Sequence, residues 1–156
     1  MKKIMLLLLA VFFVYLLHAQ DKTIKVPATY EKIVAGENIK LVLTEADPGE
    51  LLVKGKKEAQ ITVRDGVLLI KKADCCKPGS ITVYVPVKHI KSIELNDGAS
   101  AYSRGQLQSG AMTVYVKGTS YFDLKSTGLI KVVYDPAVEL DIRKVRNEKL
   151  LTIAAE

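Results

Sequence analysis

Two adjacent cysteines, Cys75 and Cys76, have the greatest capacity for redox chemistry or cross-linking. Consecutive Cα atoms lie about 3.8 Å apart, which is closer than in most disulfides. A bridge between these neighbours is therefore feasible but strained, and two free thiols or an intermolecular bond are the alternatives. The pair lacks the Cys-x-x-Cys spacing of disulfide oxidoreductases, so the sequence does not favour a redox enzyme.

Neither a catalytic histidine nor a metal site is indicated. A Ser-His-Asp triad would have to use His89, since His18 lies in the N-terminal segment that is predicted below to be removed as a signal peptide. His89 follows Lys88 in a segment typical of a surface loop, which favours a solvated side chain. A zinc site needs several Cys or His ligands, and the chain has two of each. We therefore predict no metal and no other cofactor.

Paired carboxylates are what a polysaccharide-cleaving enzyme would require. The candidates are Asp97, Asp123, Asp135 and Asp141. Asp97 falls in a turn and Asp123 in a predicted strand, so solvated surface carboxylates are the favoured interpretation. The sequence therefore predicts no enzymatic activity, and a small carbohydrate-active enzyme is the weakest alternative.

Tyrosines recur through the second half of the chain, at Tyr84, Tyr102, Tyr115, Tyr121 and Tyr134. Tyr84 and Tyr115 each lie between two valines, and alternate residues of a strand face opposite ways. If the valines point inward, these tyrosines point outward, where they could stack on sugars beside lysines that meet anionic groups. The hypothesis gives a binding face of Tyr84, Tyr115, Lys88, Lys91 and Lys117. The alternative is that tyrosine occurs here as a good strand former.

The first twenty residues have the pattern of a signal peptide. Lys2 and Lys3 precede an apolar run from Ile4 to Leu17, and Ala19 supplies a small residue near a cleavage site. The run is shorter than the roughly 20 residues of a membrane-spanning helix, and an uncleaved N-terminal anchor is the alternative. We predict a signal peptide over residues 1–20 and a protein that is periplasmic, cell-surface or extracellular, with no transmembrane segment after cleavage.

Composition assigns residues 21–156 to a single globular domain. The whole chain has 156 residues, of which 49% are hydrophobic and 26% are charged, and these values argue against disorder. Its formal net charge of +6 falls to +4 without Lys2 and Lys3. No nucleic-acid motif and no block of five like charges is present, so a nucleic-acid partner is not expected.

Short β-rich segments separated by turn residues fill this domain, which predicts an all-β fold. The predicted strands are Tyr30–Val34, Ile39–Thr44, Leu51–Lys54, Gln60–Arg64, Val67–Lys71, Ser80–Val85, Ser92–Leu95, Ser100–Ser103, Met112–Val116, Tyr121–Lys125, Ile130–Tyr134, Val138–Ile142 and Leu150–Ile153. Asp65-Gly66 is the strongest hairpin signal, because this dipeptide fits a type I′ turn between two strands.

A weak repeat in the second half suggests stacked coils. Ile93–Ser100 resembles Val114–Ser120, with Gly98 and Gly118 in matching turns, and a third copy places Pro136 in the glycine position. A period near 20 residues suits one rung of a β-solenoid, in which neighbouring rungs share a core. The alternative is a common β-turn that recurs by chance in a sandwich.

The order of features from Tyr30 to Leu140 resembles the head GIN domain, a family labelled autotransporter adhesin in secreted proteins of Bacteroidetes-type bacteria. The segments that carry the resemblance are Ile33–Leu43, Ile61–Ile70, Ile81–Leu95, Asp97–Ser100 and Lys117–Ser120. The resemblance implies an N-terminal β-sheet and hairpin region that passes into a short right-handed β-solenoid. It implies no catalytic residues, and function inferred from fold alone is analogy.

Together these observations predict a secreted, non-catalytic binding or adhesion module whose partner is a glycan or an envelope protein. The alternative is a structural or assembly component that pairs with other chains through exposed strand edges.

Overall fold

The structure of the chain is a computed structural model that describes residues 21–55, 58–73, 79–108 and 110–134, and the backbone of 150–154. These residues form thirteen β-strands and no helix, which confirms the all-β prediction. The strands are β1 (Lys22–Lys25), β2 (Lys32–Ala35), β3 (Ile39–Thr44), β4 (Glu50–Lys54), β5 (Ala59–Arg64), β6 (Val67–Lys72), β7 (Ile81–Pro86), β8 (Ser92–Leu95), β9 (Ser100–Leu107), β10 (Met112–Val116), β11 (Tyr121–Ser126), β12 (Ile130–Tyr134) and β13 (Leu150–Ala154). Nothing in this part of the chain offers a helix able to cross a membrane.

The strands form two mixed sheets. The six-stranded sheet has the order β1-β4-β7-β3-β9-β11, and the seven-stranded sheet has the order β13-β12-β10-β8-β2-β6-β5. Pairing is antiparallel for β1 with β4, for β4 with β7 and for β5 with β6. All the other neighbours are parallel. The N-terminal strands β2 and β3 lie inside these sheets, β2 between β6 and β8 and β3 between β7 and β9.

The core is built from alternate residues of both sheets. Ile33 and Val114 of the seven-stranded sheet, and Leu41 and Val83 of the six-stranded sheet, are fully buried. They belong to one hydrophobic cluster. The residues between them on each strand face outward, so strand alternation fixes which side chains are available for binding.

Three equivalent turns carry the chain from the seven-stranded to the six-stranded sheet. They join β2 to β3, β8 to β9 and β10 to β11. The pairs Val34↔Glu94 and Glu94↔Tyr115 precede the turns, so the turns lie side by side. Their backbones enter the left-handed region at Asn38 (φ 58°), Asp97 (φ 29°) and Gly118 (φ 58°), where residues other than Gly, Asn and Asp are disfavoured.

The predicted hairpin at Asp65-Gly66 is confirmed. Both residues have positive φ, 50° and 73°, and Arg64 pairs with Val67 across the two-residue turn, as a type I′ turn requires. Strand β1 is not predicted from the sequence, since Lys-Thr-Ile-Lys has little of the alternation that marks the other strands. The predicted signal peptide, Val138–Ile142 and Pro136 lie outside the described residues.

Candidate functional site

The predicted binding residues are divided between the two sheets. Tyr84 lies on β7 of the six-stranded sheet, whereas Tyr115 lies on β10 of the seven-stranded sheet. The valines on either side of both tyrosines are buried, and the tyrosines themselves are half-buried or exposed, so both rings point outward as predicted. The two tyrosines nevertheless do not share a surface.

The three predicted lysines are all engaged in ion pairs. The Lys88 ammonium lies 2.7 Å from a carboxylate oxygen of Asp47. Lys91 lies 2.7 Å from Glu31, and Lys117 lies 2.7 Å from Glu94. The hydrogen bond and positive charge of Lys88 lower the pKa of Asp47, and the same contact raises the pKa of Lys88. The charge that each lysine could offer to an anionic ligand is therefore already partly compensated.

Glu94 is the centre of a charged cluster on the seven-stranded sheet. Its carboxylate accepts hydrogen bonds from Lys117 at 2.7 Å and contacts Lys32 at 2.8 Å. Burial would raise the pKa of Glu94, but the hydrogen bonds and charges of the two lysines outweigh burial and hold that pKa below its usual range. Lys32 also lies 5.8 Å from the ring centroid of Tyr115. The charged groups around Tyr115 therefore pair with one another, and their arrangement does not point to a ligand.

A second surface, on the outside of the six-stranded sheet, brings three tyrosines together. In the register of the sheet, Leu52 pairs with Tyr84, Tyr84 pairs with Val42, and Val42 pairs with Tyr102. Because residues paired across strands point to the same side, these side chains form one continuous row. Tyr121 of β11 packs beside the row. We call the set of Val42, Leu52, Tyr84, Tyr102 and Tyr121, all of them half-buried, the tyrosine face.

Ring contacts organise the tyrosine face. The rings of Tyr102 and Tyr121 have centroids 5.5 Å apart and are tilted by 57°, a favourable arrangement for aromatic pairs. The Lys40 ammonium lies 4.7 Å from the centroid of Tyr102. The Lys54 ammonium lies 5.6 Å from the centroid of Tyr84 and 3.0 Å from Asp21. Cations thus cover two of the aromatic rings.

An open cleft of about 530 Å³ lies at one side of the tyrosine face. Tyr84 and Leu52 contribute its apolar wall, and Thr44, Glu50 and Arg104 contribute polar groups. The segment 46–49, between β3 and β4, also lines the cleft. The cleft therefore extends the tyrosine face with a concave, mixed surface of the kind that ligands occupy.

The sequence from residue 29 to residue 134 matches the model of the family described as "Putative auto-transporter adhesin, head GIN domain". The chain belongs to this family. The resemblance noted in the sequence is thereby confirmed. The matched range contains β2 to β12 and the whole tyrosine face, whereas Asp21, the partner of Lys54, lies outside it. No curated protein matches the sequence.

Solved structures share the architecture of this head GIN domain at low sequence identity. A "putative adhesin" from Bacteroides fragilis has a TM-score of 0.61 and 17% identity, over 74% of this chain and 57% of its own. A "putative adhesin" from Parabacteroides distasonis has a TM-score of 0.55 and 18% identity, over 74% of this chain and 56% of its own. The present chain thus spans little more than half the length of either relative, and the likeness concerns the fold alone.

The remaining sequence candidates occupy separate places in the head GIN domain. Asp97 lies in the turn between β8 and β9, Asp123 lies on β11, and His89 is exposed in the turn after β7. Cys75, Cys76, Asp135 and Asp141 lie outside the described residues. Among the residues that the structure does describe, no three His, Cys, Asp or Glu side chains cluster as metal ligands would.

Proposed function

We propose that this head GIN domain is an exported, non-catalytic binding module that recognises its ligand on the tyrosine face. The observation that carries the proposal is the row formed by Leu52, Tyr84, Val42 and Tyr102, which leaves apolar and aromatic groups in contact with water. Such a row on the outer side of a sheet is a flat surface on which planar or ring-shaped groups can stack.

A glycan is the proposed ligand. Sugar rings present apolar faces that stack on tyrosine, and hydroxyl groups that hydrogen-bond to polar side chains around the rings. The cleft beside Tyr84 supplies such groups from Thr44, Glu50 and Arg104. An envelope protein is the alternative partner, and it would use the same apolar row.

Export and adhesion are supported by the signal-peptide pattern in residues 1–20 and by the family match. We propose a periplasmic, cell-surface or extracellular location. Detection of the intact N-terminal Met1 on exported protein would contradict cleavage of this segment.

We also propose that the chain winds as a short β-solenoid. The parallel register of β8, β10, β12 and β13 supports this interpretation, as does the repeated passage of the chain from one sheet to the other through adjacent turns. In a solenoid, each rung adds one strand to each sheet and extends the outer faces. The row of the tyrosine face would then lengthen by one side chain with each rung.

Binding to a panel of neutral and acidic glycans, at low and high salt, tests the proposed function. Saturable binding that Tyr84→Leu and Tyr102→Leu each weaken is the expected result, because leucine keeps the strand but removes the aromatic ring. Tyr115→Leu is the matched control on the opposite sheet and should bind normally. If the three variants all bind as the parent protein does, recognition by the tyrosine face is excluded.

The assembly alternative has one specific observation in its favour. Within the described residues, β11 ends the six-stranded sheet, and a terminal strand can pair with another chain. Concentration-dependent growth of the native mass, without glycan binding, would favour this function. Release of reducing sugar ends from the same glycans would instead favour a carbohydrate-active enzyme.

A further inference from the structure

We infer that the ligand of the tyrosine face is an acidic polysaccharide, whose chain crosses the strands with sugar rings on Tyr84 and Tyr102 and acidic groups at Lys40 and Arg104. This inference rests on the proposed function, and it names the chemical class of the ligand.

The lysines around Tyr115 are neutralised by a shared carboxylate, whereas two cations beside the tyrosine face are not paired with any carboxylate of the described residues. On the seven-stranded sheet, Lys32 and Lys117 share the carboxylate of Glu94. On the six-stranded sheet, Lys40 and Arg104 are exposed and form no ion pair with any residue that the structure describes. Lys40 and Arg104 therefore offer positive charge beside the tyrosine row, and an anionic group placed against them complements that charge. Glu50, an exposed carboxylate in the cleft, is the group from which the anionic substituents must be kept away.

These two cations lie on opposite sides of the tyrosine row. Lys40 precedes Val42 by two residues on β3, and Arg104 follows Tyr102 by two residues on β9. Because β3 and β9 are parallel, Lys40 lies towards one end of the strands and Arg104 towards the other, where it lines the cleft with Tyr84. A polymer lying along the row would have a cation on each flank.

The row also has the dimensions of a polymer site. Tyr84 and Tyr102 are on β7 and β9, which flank β3, so they are separated by two interstrand spacings, or about 10 Å. A disaccharide unit can span this distance, with one ring against each tyrosine. A chain that continues in the same direction leaves its substituents on the two sides where the cations lie.

The contact between Lys40 and Tyr102 favours an acidic ligand over a neutral one. The ammonium lies 4.7 Å from the ring centroid, so a sugar that stacks on Tyr102 must displace it. A neutral sugar gives the ammonium nothing in return. A carboxylate or sulfate on the sugar offers a charge-assisted hydrogen bond, which is stronger than the exposed cation–π contact.

Asp123 marks the end of the proposed binding site on the side of β11. It pairs with Tyr102 in the register and lies on β11, at the far end of the row from Tyr84. Its negative charge repels an acidic chain from that end and places the chain over β7, β3 and β9. Removal of this charge by Asp123→Asn should therefore strengthen binding.

The test compares each acidic polymer with its neutral counterpart on the intact protein. The probes are polygalacturonate with its methyl ester, and dextran sulfate with dextran, at about 0.15 M salt. At least one acidic polymer should bind about tenfold more tightly than its counterpart, and Lys40→Gln and Arg104→Gln should each weaken this binding about threefold, as expected of exposed charge contacts. Lys131→Gln, an exposed lysine on β12 of the other sheet, removes the same charge and should change binding by less than about 1.5-fold.

Each other outcome overturns a defined claim. Equal weakening by Lys40→Gln and Lys131→Gln would show attraction by net charge alone and would overturn the inference. Equal binding of acidic and neutral polymers, still lost in Tyr84→Leu, would overturn the inference and leave the proposed function standing. Absence of binding to all four polymers would overturn the inference, and the wider glycan panel would then decide the proposed function.

Discussion

The hydroxyl of Tyr30 donates a hydrogen bond to the backbone carbonyl oxygen of Pro86 across a distance of 2.9 Å, although 56 residues separate the two in sequence. Tyr30 is 1% exposed and belongs to the hydrophobic core. It precedes β2 of the seven-stranded sheet, whereas Pro86 ends β7 of the six-stranded sheet. This bond therefore ties the entry of one sheet to the end of a strand in the other.

Tyr30→Phe is expected to lower the free energy of unfolding by about 1–3 kcal/mol, because the carbonyl oxygen of Pro86, a buried residue, loses its hydroxyl donor. Chemical denaturation of the two proteins measures this difference. Tyr102→Phe, which removes the same hydroxyl from the half-exposed tyrosine face, is the control and should change stability by less than about 0.5 kcal/mol. Equal effects in the two variants would contradict a special role for Tyr30.

Tyr30 should also make the protein sensitive to alkali. Burial raises the pKa of Tyr30 to about 12, above the value of about 10 in an unfolded chain. Its contribution to stability is fully present below the unfolded pKa and is lost as the pH rises through the folded pKa. The stability difference between the parent protein and Tyr30→Phe should therefore shrink above about pH 10. A difference that stays constant up to about pH 12 would contradict burial of this hydroxyl.

Most strands could be predicted from the sequence because apolar and polar residues alternate in them. The pairing of strands could not be predicted in the same way, because it joins strands that are far apart in sequence. Strand β2 lies between β6 and β8, and β3 lies between β7 and β9. The sequence separations of these pairs do not follow the period near 20 residues. The insertion of β4 and β5 between the strands β3 and β6 hides the relationship from a search for repeats.

The tyrosine face illustrates what alternation alone leaves undecided. Alternation shows that Tyr84 and Tyr115 point outward, but it does not tell which sheet each strand joins. Glycine positions do not decide this either, because Tyr84 follows Gly79 and Tyr115 follows Gly110 by the same five residues, although the two tyrosines lie on different sheets. The assignment comes from long-range pairing, in which β3 lies between β7 and β9 and so brings Tyr84 and Tyr102 to one surface.

Gly118→Ala should be clearly destabilising. Gly118 has a φ of 58°, which costs an alanine roughly 1–2 kcal/mol, and the carboxylate of Asp97 occupies the place of the new methyl group. Thermal unfolding should show a lower Tm than for the control Gly110→Ala, whose Cβ meets no atom within 4 Å.

A double variant separates the backbone strain at Gly118 from the contact between its turn and the turn that holds Asp97. In an Asp97→Gly background the carboxylate is absent, so Gly118→Ala should lose less stability than it does in the parent protein. Identical losses in both backgrounds would mean that the turns do not press on each other.

Glu94 should make stability depend on acid pH. Lys117 and Lys32 hold the pKa of Glu94 below its usual range despite burial, so the ion pairs stabilise the folded chain at pH values above the unfolded pKa. This contribution is lost as the pH falls through the folded pKa, since the unfolded state binds the proton more readily.

Glu94→Gln should therefore lower the free energy of unfolding by about 1 kcal/mol at neutral pH, and this difference should vanish in strong acid. Denaturation curves measured from pH 7 down to about pH 2 would follow the difference. Glu37→Gln is the matched control, because Glu37 is exposed in the turn between β2 and β3 and has no ion pair in the described part of the chain. A deficit in Glu94→Gln that persists unchanged at low pH would mean that the side chain acts through its packing, and not through its charge between Lys32 and Lys117.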